Sequence, residues 1–246
     1  MTEHRQLPTH APESLHHLRR IGEHNAEPLQ RAATALVECL DGDGLVFTAG
    51  AGHSLAGVME SFYRAGGLAA VRPLYHPELL PLHGAVASTD TERRSGLAEQ
   101  TLAEAGFRGG KDLLVVFSNS GINPYPVELA TTATAFGSTV VAITSPEASV
   151  DAPRRAEGVL AQHADIVLDT LVPGGDTSYP VDAPVTAPLS SLGNVFLWNL
   201  VLAEVHRVAT ETGVTLPWWR SSNTVGGDEA NSDNLEHYAH RIPGLL

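Results

Sequence analysis

The sequence predicts an α/β fold, a three-layer, doubly wound, five-stranded parallel sheet in the flavodoxin-like order 2-1-3-4-5. Three observations predict it. Short apolar runs without polar alternation recur along the chain, as strands covered on both faces do. Helix-period segments separate these runs, the βαβ rhythm of a parallel sheet with right-handed crossovers. Two hydroxyl-rich loops, Gly50-Ala51-Gly52-His53-Ser54 and Ser118-Asn119-Ser120-Gly121, each stand where such a run ends and a helix begins.

In chain order, apolar residues at Leu15, Leu18, Ile21, Leu29, Leu36 and Leu40 carry helical spacing over residues 11–40, with Pro28 expected to kink or split the helix. A turn at residues 41–44 leads to a first strand at 45–49, a helix over 54–64, a glycine stop at Gly66-Gly67 and a second strand at 69–75. Residues 76–96 lack periodicity and read as a long functional loop before a helix near 93–105. Residues 112–117 form the clearest buried strand. A helix over 126–136, a strand at 139–144 and a weaker strand at 165–168 follow. Residues 173–188, rich in Pro, Gly and Asp, read as irregular, and 189–210 as a strongly apolar helix, expected to be buried, in part between subunits. The tail carries Trp218 and Trp219, expected as interface anchors, a polar loop at 221–228 with Asp228 as a candidate helix cap, and a short helix near 234–241.

The organisation expected is one domain over residues 1–246. The helical segment at 11–40 and the tail at 212–246 would pack on it or on a neighbouring subunit. The 246 residues include 43% hydrophobic and 17% charged side chains and carry a formal net charge of −13, which disfavours nucleic acid and anionic membrane surfaces as partners. Cys39 is the single cysteine, so intrachain disulfides and Cys-rich zinc sites are excluded, and it reads as a buried thiol. The amino terminus lacks the apolar core of a signal peptide, and no apolar run approaches the ~20 residues of a membrane span, so a cytoplasmic location is expected. Lys111 is the only lysine.

In an open parallel sheet, strand-to-helix loops at the carboxyl edge are where ligands bind. Helix-start amides and the helix dipole hold an anion there without a cation. If the first and third strands are neighbours, both loops flank one crevice. Gly50 to Ser54 lacks the third glycine of a dinucleotide fingerprint, where Leu55 stands, and the Gly-Lys-Ser/Thr of a P-loop. Lys111 precedes the third strand at the opposite sheet edge, which argues against Schiff-base chemistry.

These loops resemble those of the sugar-isomerase (SIS) domain family, over roughly residues 15–210. The runs Phe62-Tyr63-Arg64-Ala65-Gly66-Gly67, Val172-Pro173-Gly174-Gly175-Asp176 and Asn223-Thr224-Val225-Gly226-Gly227-Asp228-Glu229 are similar to an uncharacterised subgroup, UPF0309, related to phosphoheptose isomerases. The resemblance implies a phosphorylated sugar as ligand, held by Ser118 and Ser120 with Ser54. Gly50, Gly52, Asn119 and Gly121 of the same loops are further phosphate- and sugar-binding candidates, as is Asn123, which stands where a later hydroxyl is common. It also implies a catalytic glutamate on the first crevice helix and a histidine on the long late helix, positions that fall by counting at Arg64 and Asn194.

Replacement candidates come from the residues themselves. Glu60, six residues after Ser54, is a candidate general base, and His53, within the loop, a candidate proton shuttle. His76, His83, Asp228 and Glu229 are weaker candidates. His237 and His240 share a helix face without a third ligand at metal-site spacing, so no metal is expected. The function expected is aldose–ketose isomerisation of a sugar phosphate by a homodimer or homotetramer, without a cofactor. The alternatives are a non-catalytic phosphosugar sensor and an etherase or deaminase of an amino-sugar phosphate.

Overall fold

The computed structural model describes residues 8–246. Two helices, α1 (Ala11–His24) and α2 (Ala26–Asp41), precede β1 (Val46–Gly50), α3 (Leu55–Ser61) and β2 (Val71–Leu74). Then come α4 (Ala85–Glu92), α5 (Leu97–Glu104), β3 (Leu113–Phe117), α6 (Pro124–Ala135), β4 (Val140–Thr144), α7 (Pro146–Val150), α8 (Leu160–His163) and β5 (Ile166–Asp169). The long α9 (Ser190–Thr212) and α10 (Gly227–Tyr238) close the chain. All five strands are parallel, in the order β2-β1-β3-β4-β5 that the sequence predicts.

Side chains alternate across the sheet and feed two apolar layers. Val115, Phe117, Val141 and Ile143 pack with α2 and α9 on one face. Leu114, Val116, Val140 and Ala142 pack with α5 and α6 on the other. Every residue of β1, β3 and β4 is buried, which is why those strands show no polar alternation. Trp198 of α9 meets the Phe117 ring edge-on at 6.2 Å, tying the late helix to the end of β3.

Three elements depart from the sequence reading. The first helix breaks at Asn25, not at Pro28. Asn25 is fully buried, donates to the carbonyls of Ile21 and Asp169 at 2.8 Å each and accepts the Asp169 amide at 2.7 Å, so it closes the end of β5. Pro28 falls in the first turn of α2, where no helical amide is required of it. The expected loop at 76–96 holds two short 3-10 turns and α4, whose buried side chains are the polar Ser88 and Thr91. The tail helix starts at Gly227 rather than near 234, and Asp228 lies inside its first turn, with Gly226 at the cap.

The tail packs on its own chain. Residues 217–219 run beside 66–69, with the Gly66 amide donating to Trp219 O at 2.9 Å and the Trp219 amide to Gly67 O at 2.8 Å. Trp219 is buried against Tyr63, ring centroids 4.9 Å apart, so it is consumed within the chain and does not stand free as an interface anchor. Ile242 is fully buried in the α5/α6 layer, Arg72 donates to the Arg241 carbonyl, and Arg241 pairs with Asp43 at 2.7 Å. One face of α9 is in the core, while Leu192 on the other remains exposed. Among the described residues no helix is long and apolar enough to cross a membrane.

Candidate functional site

Because β1 and β3 are neighbours and their chain connections diverge, the sheet has its switch point between them. After β1 a 3-10 turn, Gly52–Ser54, leads into α3 on the α2/α9 face. After β3 the chain enters α6 on the opposite face. A crevice of about 840 Å³ opens between the two loops.

Both loops are shaped by glycine where no other residue fits well. Gly52 and Gly121 each have φ +59°, in the left-handed region. At Gly121 an added Cβ would also lie 2.9 Å from the Leu160 Cβ and 3.0 Å from the Thr144 Oγ1. Gly50 ends β1 so close to the returning chain that a Cβ would meet Ser54 O at 3.0 Å. Of the polar residues, His53, Ser54, Ser118, Asn119, Ser120 and Asn123 all line the crevice. Asn119 is structurally committed: its side-chain oxygen accepts the Thr170 hydroxyl at 2.8 Å, and its carbonyl accepts the Ser145 amide at 2.8 Å. His53 is exposed at the crevice, and its carbonyl accepts the Ser191 hydroxyl at 3.5 Å.

Glu60 is not brought into the crevice. Its Oε1 lies 2.7 Å from Arg64 Nε and 3.5 Å from Asn199 Nδ2 of α9, on the flank of α3. Asn194 is fully buried in α9, and its side-chain amide has no hydrogen-bond partner among the described residues. His76 accepts the Glu78 amide at 3.3 Å, His83 is exposed beside α4, and neither lines the crevice. Asp228 and Glu229 sit on α10, outside its lining. Lys111 pairs with Asp43 at 3.1 Å at the amino edge of the sheet, opposite the crevice. Among the described residues no group of three His, Cys, Asp or Glu has the arrangement of a metal site.

The structure adds carboxylates that the sequence does not signal. Glu92, Glu147, Asp151 and Asp176 all line the crevice. Asp176 accepts the amides of Leu189 and Ser190 and the Ser190 hydroxyl, so it serves as a cap for α9. Glu147 and Asp151 are exposed. Glu92, the last residue of α4, is half-buried, and burial pushes its carboxyl above the usual range, opposed by the neighbouring Asn123 amide and by the charges of Arg155 and Arg93. Asn123 Oδ1 in turn accepts Arg155 Nη1 at 3.0 Å. A second, apolar cavity of about 540 Å³ lies between α3, β2 and the tail, walled by Leu55, Val58, Phe62 and Ile242. Neither hydroxyl-rich loop lines it, and the convergent polar groups belong to the crevice.

Residues 11–145 match the family model described as the SIS domain. The chain is 35% identical over 234 residues to a UPF0309 protein of Geobacillus thermodenitrificans, covering 93% of each chain. It is also 35% identical over 249 residues to a UPF0309 protein of Streptomyces coelicolor, covering 98% of each. Among solved structures, a phosphoheptose isomerase from Neisseria gonorrhoeae superposes with a TM-score of 0.54 at 19% identity, covering 79% of this chain and 94% of that one. The sugar isomerase domain of an RpiR transcription factor from Sphaerobacter thermophilus superposes with a TM-score of 0.50 at 18% identity, covering 94% and 99%. At those identities the structures share the fold, and with the matches along the sequence they place the chain in the SIS domain family, within its UPF0309 group.

Proposed function

We propose that the crevice binds a phosphorylated sugar and that the protein interconverts its aldose and ketose forms. The observation that carries this reading is the convergence of the two hydroxyl-rich loops on one open crevice at the switch point of the sheet. Ser54, Ser118 and Ser120 supply hydroxyls there, and the glycines admit a phosphate close to the backbone. With Lys111 held at the far edge of the sheet, amides and hydroxyls carry the anion. The fold shared with phosphoheptose isomerases supports a sugar-phosphate substrate, and the chemistry draws on groups in the crevice without a cofactor.

A sensing role is the second reading. It is favoured by Arg64 and the buried Asn194, which stand, by counting along the sequence, where the family resemblance implies a glutamate and a histidine, and by the fold shared with a regulator's sugar isomerase domain.

Incubation with a panel of sugar phosphates in heavy water separates the two. Deuterium entering at the carbon beside the carbonyl supports isomerisation; tight binding with no exchange in any ligand supports sensing. Replacing Ser118 and Ser120 by alanine should weaken binding of the phosphorylated sugar far more than of the free sugar. Equal binding of both by parent and variant would remove the phosphate assignment.

A further inference from the structure

We propose that Glu92, at the end of α4, is the catalytic acid-base of the crevice, and that Asn123 and Arg155 are the residues that position it. The proposal rests on the isomerase reading and names the group that moves the proton.

Geometry selects Glu92 among the carboxylates. Asp176 is committed to capping α9, with two amides and a hydroxyl on its oxygens. Glu147 and Asp151 also line the crevice but are exposed to solvent. Glu60 is paired to Arg64 on the flank of α3, outside the crevice lining. Glu92 is half-buried, lines the crevice with Ser54, Ser118 and Ser120, is not taken up by a helix cap or an ion pair among the described residues, and has the Asn123 amide as a neighbour.

That amide is oriented by a third residue. Arg155, on the segment between α7 and α8, donates to Asn123 Oδ1 at 3.0 Å, so the amide oxygen is occupied and the NH2 group is the part left free to donate. Burial holds the carboxyl above its usual range, towards the basicity a proton carrier needs, while Asn123 and the charges of Arg155 and Arg93 act in the opposite direction.

The step balances without an added redox partner. Glu92 removes the proton from the carbon beside the carbonyl. The C–H electron pair becomes the C=C bond of an enediolate, and the carbonyl π pair moves onto its oxygen. His53, on the facing loop, carries the hydroxyl proton between the two oxygens. Glu92 then returns its proton to the neighbouring carbon, so one carbon is oxidised as the other is reduced.

The test compares parent, Glu92→Gln, Glu92→Asp and Arg155→Ala on the sugar phosphate that the parent exchanges fastest. Glu92→Gln should lose about 10²–10⁴-fold in exchange rate, the range for a general acid-base, while binding the same ligand within about threefold. Glu92→Asp should recover part of the rate. Arg155→Ala should move the acid limb of the kcat/KM profile to higher pH, because a positive charge that favours the carboxylate is gone. Parental exchange by a folded Glu92→Gln would overturn the role of Glu92 and leave the isomerase reading intact. An unmoved acid limb in Arg155→Ala would overturn the positioning role. A parent that exchanges no sugar phosphate would overturn both readings together.

Discussion

Asp176 holds the amino end of α9 through Ser190: one carboxylate oxygen accepts the Ser190 amide at 2.8 Å and the other its hydroxyl at 2.5 Å. The same Oδ1 accepts the Leu189 amide at 3.0 Å, so three donors at the helix start are satisfied by a residue fourteen positions upstream. Asp176 also lines the crevice and sits at φ +55°, a conformation Asp tolerates better than Ala. Asp176→Ala should therefore cost about 1–2 kcal/mol, the loss of a good cap. For a chain of this size that is a fall in Tm of roughly 2–8 °C. Asp176→Asn, which keeps an acceptor, should lose less, and thermal melts of the two variants read the difference. Equal Tm for parent and Ala variant would show that the cap carries no stability.

The two loop glycines should respond differently to one methyl group. Gly52 and Gly121 share φ +59°, so alanine at either position suffers the same backbone strain, about 1–2 kcal/mol. At Gly52 the added carbon meets nothing within 4 Å. At Gly121 it meets Leu160 and Thr144 at 2.9 and 3.0 Å, and forced repacking adds about 1–3 kcal/mol. In urea unfolding Gly121→Ala should be the less stable of the two by that margin. Matching midpoints would mean that Leu160 yields freely, and that the second loop is looser than its contacts suggest.

The sheet was legible because β1, β3 and β4 are buried on both faces and read as unbroken apolar runs. The loops were legible because Gly, Ser and Asn at a strand end have few other uses. The crevice acid was not legible. Glu92 sits on α4, and α4 hides because its buried side chains are Ser88, whose hydroxyl donates to Leu79 O at 2.9 Å, and Thr91. Hydrophobic periodicity has nothing to register there. Glu60 was attractive for its closeness to Ser54 along the chain. Six helical residues turn about 600°, well short of two full turns, and the side chain meets Arg64 and Asn199 instead of the loop. The helix break at Asn25 was missed for a related reason: the partner that holds it is β5, 144 residues away.

Glu92→Gln should also change stability, with a sign that separates a functional carboxylate from a structural one. The folded carboxyl is raised above its ordinary value, with burial the largest cause. The folded state therefore holds this proton more tightly than the unfolded chain. Stability falls as pH rises from the ordinary carboxylate range through the raised folded value, and the full penalty is present above it. Gln escapes that penalty. The variant should melt higher than the parent at neutral pH, and its advantage should shrink as the pH is lowered towards the ordinary carboxylate range. A variant that melts lower at pH 7 would show that Arg155 and Asn123 more than offset desolvation, making the carboxylate a net stabiliser.

Cys39 should be chemically quiet in the folded protein despite being half-buried rather than fully enclosed. Burial is the larger cause, with the Asp112 charge next, and together they push its thiol up from 9.0 to about 12. Its sulfur lies 3.5 Å from the carbonyls of Leu45 and Lys111, acceptors that suit S–H and repel a thiolate. The thiolate is the reactive form. At pH 8 it makes up roughly one part in 10⁴ of the folded thiol and about one in ten of an unfolded cysteine, by the three-unit difference in pKa. Maleimide labelling at pH 8 should thus be about 10³-fold slower in the native protein than in urea. The native rate should climb about tenfold per pH unit from 8 to 10, where a free thiol already levels off. Native labelling within tenfold of the unfolded rate, or a plateau near pH 9, would show that the thiol ionises normally and that neither burial nor Asp112 governs it.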